Sequence, residues 1–148
     1  MLNRTISKLK KRTIGYWVTT TLVGFAFAAG GLADLLGAPD VMGAMAHLGY
    51  PAYVASILGV WKVLGAAAIV APGLPRVKEW AYAGMFFDLT GAAISHAALG
   101  DGASAVLTPL VLSALVAASW ALRPESRKLE GQGPPFAQYR LTAESHPS

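Results

Sequence analysis

Four apolar runs set the problem this chain has to solve: Ile14 to about Gly37, Ala52 to about Ala71, Glu79 to Leu99, and Ala103 to Leu122. Each is close to the roughly 20 residues that a helix needs to cross a bilayer core. In hydrocarbon a backbone must satisfy its own hydrogen bonds, which predicts a helix for every run. Composition agrees: 54% of the 148 residues are hydrophobic and 14% are charged, against roughly a quarter charged in a soluble domain. The expected fold is all-α, an integral membrane four-helix bundle with a short interfacial helix between the first two spans. Residues 1–13 form a basic cytoplasmic flank, 14–122 the transmembrane domain and 123–148 a polar cytoplasmic tail, loosely docked at most.

The flank holds Arg4, Lys8, Lys10, Lys11 and Arg12 and no acid. A basic stretch before an apolar one also describes a signal peptide, and Ala26-Phe27-Ala28 resembles a cleavage site. The run is long for a signal core and three more follow, so a retained helix is expected. Pro39 ends it, because proline cannot continue a helix without losing a backbone hydrogen bond. In residues 40–49, Val41, Met42, Met45 and Leu48 recur at helical spacing, which predicts a short amphipathic helix lying at the interface.

Eleven of the twelve Lys and Arg fall in the flank, the 72–78 turn or the tail, and none in 37–51 or 100–103. That split predicts a cell-membrane protein, multi-pass, with both termini and the 72–78 turn cytoplasmic. The net charge of +4 is explained by orientation; no basic face with interleaved aromatics points to nucleic acid. There is no cysteine, which excludes a thiol redox pair and a thiolate metal site. Ligand-like residues are not spaced as His-x-x-x-His or Glu-x-x-His, so no metal is assigned.

Ionisable groups at bilayer depth are costly and face a bundle interior and a partner. Lys62 lies near the middle of the second span and Asp88 near the middle of the third, so the two are expected to pair. Such a pair either fixes helix register alone or forms the polar end of a cavity. Asp34 and His96 lie on the order of 10 Å from the midplane by helical rise. They are expected to form a second layer in which Asp34 sets the tautomer of His96 and His96 moves a proton. His47 and Tyr50 are placed to cap this layer, and Ser95 shares a helix face with Asp88. Glu79 reads as a dipole partner or solvated charge at the cytoplasmic entrance. The site predicted is thus catalytic at His96 and Asp34, with Lys62, Asp88, Ser95, His47 and Tyr50 binding. It would lie between the outer halves of the first three helices, with residues 40–51 as its lid.

The pattern Gly49-Tyr50-Pro51, Lys62-Val63-Leu64-Gly65 and Lys78-Glu79-Trp80-Ala81-Tyr82-Ala83-Gly84 resembles the DoxX-like membrane proteins. Phe87-Asp88, Gly91-Ala92 and Ser95-His96 continue it, and the resemblance covers about residues 14–122. It implies a four-helix membrane bundle. The family takes its name from a subunit of a thiosulfate:quinone oxidoreductase, so it also implies a quinone-linked, redox-associated membrane subunit with a redox partner protein. Two other readings stay open. One is a membrane enzyme or binder for a small apolar, lipid-like molecule, with isomerase-like acid/base chemistry; the other is a non-catalytic scaffold. In every reading the lipid bilayer is the chain's partner.

Overall fold

The computed structural model describes residues 2–129. Among them are five α-helices, α1 (Leu2–Leu35), α2 (Pro39–His47), α3 (Ala52–Val70), α4 (Pro75–Ala98) and α5 (Ala103–Leu122), then a 3₁₀ turn at Glu125–Arg127 and no strand. Three helices are long and apolar enough to cross a membrane: α1 over Lys10–Leu35, α3 and α5. Helix α4 has the length, at 24 residues, but Asp88, His96 and the charges of its first turns lower its hydropathy below that of the other three.

The helix ends follow from local sequence. Gly37, Gly49 and Gly100 all have positive φ, a conformation that costs glycine little. Each closes its helix by a backbone bond from the following residue to the carbonyl five back: Ala38 to Ala33, Tyr50 to Met45 and Asp101 to His96. This is the Schellman arrangement, which satisfies carbonyls that the helix leaves open. Pro39 and Pro75 stand at first helical positions, where a missing N–H costs nothing.

Each of the four long helices packs on two others: α1 on α3 and α5, and α4 on α3 and α5. The core between them is Val23, Phe27, Ala66, Ile69, Tyr82, Met85, Leu89 and Val116. A buried hydroxyl ladder crosses it. Ser119 Oγ lies 2.7 Å from Thr20 Oγ1 and 2.8 Å from Tyr82 OH, tying α5 to α1 and α4. The outward faces are apolar too: Phe25, Trp61, Trp80, Phe87 and Ile94 are all exposed. Helices apolar all round suit a hydrocarbon surround.

At the α3–α4 turn, cations cover the end of α3. Lys78 is fully buried and its ammonium donates to the carbonyls of Ala68 and Ala71. Arg127 donates to the carbonyls of Ile69 and Val70 at 3.3 and 3.2 Å and lies 4.8 Å over the Trp17 ring. Cations at a helix C-terminus oppose its dipole and satisfy its last carbonyls. The expected loose tail is therefore corrected at its start: residues 123–128 are tied to the helices, because Arg123 and Arg127 find carbonyls and rings there. Residues 130–148 lie outside the described residues.

Candidate functional site

Close approach of α1 and α3 builds the first polar group. Gly31 and Gly59 face each other, and Asp34 and Lys62 each stand one turn further along the same helix faces. Lys62 Nζ donates to Asp34 Oδ2 at 2.9 Å. From α4, Asp88 Oδ2 stands 3.9 Å from the same ammonium. Lys62 thus joins two carboxylates, one from each neighbouring helix. Asp34 is the more deeply buried, its side chain 7% exposed against 20% for Asp88.

The Lys62–Asp88 pair expected from depth is present, at ion-pair distance. The layer of Asp34 with His96 is not formed. Counting rise along straight helices separates Asp34 from Lys62 in depth, but a lysine's four-carbon stem carries its ammonium several ångströms along the helix. Asp34 is thereby drawn into the Lys62 group. His96 turns instead to a residue that sequence reasoning passed over, Asp101.

This second cluster sits at the α2 end of the molecule. His96 Nδ1 lies 2.6 Å from Asp101 Oδ2, and His47 Nε2 lies 2.8 Å from Asp101 Oδ1. An ionised carboxylate only accepts, so both imidazoles present N–H to it. The His96 bond first, and then that of His47, hold the Asp101 carboxyl below the usual carboxylate range. The Schellman bond at Gly100 folds Asp101 back over His96, which was the signal available in the sequence. Beside it, Tyr50 OH meets Ser95 Oγ at 3.0 Å. His47 and His96 meet at Asp101 rather than at Asp34, and Tyr50 bonds to Ser95.

A third group lies near the α3–α4 turn. Arg123 is 1% exposed; its Nη2 donates to Glu79 Oε1 at 2.6 Å, and Trp120 Nε1 donates to Glu79 Oε2 at 2.7 Å. The guanidinium lies 5.2 Å from the Tyr82 ring centre. Glu79 is therefore no solvated entrance charge. It is the counter-ion of a buried arginine that the sequence reading assigned to the tail.

A cavity of about 410 Å³ lies between α3 and α4. Phe27, Leu58, Trp61, Trp80 and Met85 are among its walls, and Lys62 and Asp88 supply its charged groups. From that pair it extends towards Ala68 and Val77, near the α3–α4 turn. The expected position is corrected accordingly: the pair forms the boundary of the cavity on the α2 side, and residues 40–51 do not line it. His96 lines a separate open depression with Thr108 and Pro109. A cavity of about 350 Å³ between α4 and α5 presents Glu79, whose carboxylate is already bonded to Arg123 and Trp120. In the α3–α4 cavity Asp88, 3.9 Å from the Lys62 ammonium, sets a carboxylate against an apolar wall. Among the described residues no group of three or more His, Asp or Glu is arranged to hold a metal ion.

The model of the DoxX-like family matches residues 18–119, more than half of the chain. The chain belongs to the DoxX-like family. Neither the curated proteins nor the solved structures gave a match. The matched span of this DoxX-like chain contains Asp34, Lys62 and Asp88 and the whole cluster around Asp101; Arg123 and Arg127 lie beyond it.

Proposed function

We propose that this DoxX-like protein binds a small lipid-soluble molecule in the α3–α4 cavity, with the molecule's polar end at Lys62 and Asp88. The observation that carries this reading is an apolar cavity bounded at one end by a lysine and a carboxylate. Ligand sites are typically concave and apolar, with a few convergent polar groups that orient the ligand. Lys62 has N–H capacity beyond its bond to Asp34, and Asp88 has acceptor capacity, so a hydroxyl or carbonyl can be held there. Proton exchange with a bound hydroxyl falls to Asp88 in this reading, in place of His96.

A quinone or quinol is one molecule of this class, and the residues fit it: Lys62 would donate to a ring oxygen and the walls would hold the tail. Its redox use needs a partner protein to supply electrons, since the chain has no thiol pair or cofactor motif of its own.

In the bilayer, α1, α3, α4 and α5 form a four-helix bundle with both termini cytoplasmic. Helix α4 crosses with the others because it packs between α3 and α5 and turns Asp88 towards Lys62 and Glu79 towards Arg123. Orientation rests on Arg76, Lys78, Arg127 and Lys128 at one end and the lack of any Lys or Arg in residues 37–51 and 100–103. In intact cells, Gly102→Cys should label from outside and Pro72→Cys only after the membrane is opened; the reverse pattern overturns the orientation.

The binding reading is tested by mass spectrometry of organic extracts from the purified protein. Gly84 lines the cavity and a Cβ there meets nothing within 4 Å, so Gly84→Leu starts in open space and places its branch in the cavity. A lipid-soluble compound should be enriched in the parent protein and lost in Gly84→Leu. Equal enrichment in both, or none in either, counts against the reading.

A further inference from the structure

We infer that the molecule held between α3 and α4 carries a cationic head, an alkyl or aryl amine protonated at neutral pH. This rests on the binding reading above and adds the ligand's charge. Two carboxylates, Asp34 and Asp88, share one ammonium. Among the described residues no other Lys, Arg or His side chain lies within 4.0 Å of either acid. His47 and His96 are both taken by Asp101, and Lys78 by the end of α3. With both carboxylates ionised, as a bound cation favours, the group holds one negative charge in excess.

Position decides where that excess is felt. Asp34 takes the close hydrogen bond from Lys62 and is buried between α1 and α3. Asp88 stands 3.9 Å from the ammonium, beyond hydrogen-bond length, and faces the cavity. An uncompensated carboxylate in an apolar wall favours an opposite charge beside it and disfavours a like one. A protonated amine supplies both the charge and N–H donors for Asp88, while Trp61 and Trp80 offer apolar wall to the rest. A fatty carboxylate would bring a third anion to one lysine. Charge complementarity thus separates amine from alcohol and alcohol from acid at one fixed chain length.

The test uses the full chain in nanodiscs of zwitterionic lipid at neutral pH, with ω-bromodecylamine, ω-bromodecanol and ω-bromodecanoate as probes. Bromine quenches indole fluorescence, and Trp61 and Trp80 line the cavity. The amine should half-saturate the quenching at about tenfold lower concentration than the carboxylate, with the alcohol between them. Asp88→Asn should bring amine and alcohol to within about twofold of each other. Carboxylate binding as tight as amine binding overturns the inference in the parent protein alone, whatever the variant does. An amine preference that survives Asp88→Asn overturns it too, and either result leaves the binding reading standing. Gly84→Leu should abolish saturable quenching by all three probes. Quenching that Gly84→Leu does not change, or no saturable quenching by any probe, overturns the binding reading along with the inference.

Discussion

Gly31 and Gly59 meet across α1 and α3 at backbone contact: a Cβ on Gly31 would stand 2.9 Å from the Gly59 carbonyl oxygen, and one on Gly59 2.8 Å from that of Gly31. Small residues allow membrane helices to approach this closely. The approach has a consequence one turn away, because it sets the distance over which Lys62 reaches Asp34. Backbone atoms cannot give way as a side-chain tip can. Gly59→Ala should therefore push the helices apart, at a cost of about 1–3 kcal/mol as for other overpacked contacts. Unfolding of the purified protein in mixed micelles measures this. A neutral result would mean that α1 and α3 do not touch there.

The two arms of the Lys62 group should differ in strength. Lys62 and Asp34 side chains are 23% and 7% exposed and in hydrogen-bond contact. Losing one partner leaves a buried charge uncompensated, at about 3–5 kcal/mol. A double-mutant cycle of Lys62→Met with Asp34→Asn should give coupling within about 0.5–3 kcal/mol. The cycle of Lys62→Met with Asp88→Asn should give less, since that contact is longer. Equal couplings would show that Lys62 does not discriminate between the two acids, and reversed ones that it prefers the α4 carboxylate.

Arg123 lies just past α5, yet its side chain is 2% exposed, against 22% for Glu79. Glu79→Ala should thus cost about 3–5 kcal/mol by stranding the guanidinium. Arg123→Lys should not rescue the contact, because an ammonium cannot match the guanidinium's planar fork or its stacking on Tyr82. Melting temperatures of the two variants test both statements. If Arg123→Lys melts with the parent, the planar geometry is unimportant.

The cluster around Asp101 makes the docking of α2 depend on pH. With the Asp101 carboxyl held below its usual range, the folded state keeps it ionised more readily than the unfolded chain. Its contribution is complete above the unfolded value of about 3.9 and is lost as pH falls through the lower, folded one. Asp101→Asn should melt below the parent at pH 7, and the gap should close only in acid below about pH 4. A gap that persists unchanged in acid would mean that ionisation of Asp101 is not what holds the contact.

Helix class, the helix stops at proline and glycine, the membrane setting and the family were determined by the sequence alone, while α1 starts at Leu2, twelve residues before the apolar run. Run length, proline and glycine positions and the local motifs act over a few residues and need no neighbour to be read. The pairing of Lys62 with Asp88 was legible because both stand near the middle of adjacent spans. Which further acid joined them was decided in three dimensions. The Gly31–Gly59 contact sets the α1–α3 distance and lysine's flexible stem spans the depth difference, so Asp34 went to Lys62. His96 was released to Asp101, a local contact that the Gly100 turn signals in the sequence but that draws in His47 only when α2 docks. The cavity's place was decided in the same way, since an empty space is what helix packing leaves unfilled, and no single helix records it. Arg123 shows the limit most plainly. Its position after α5 marks a helix end, but its burial depends on Glu79, 44 residues earlier in the chain, and on how α4 packs against α5.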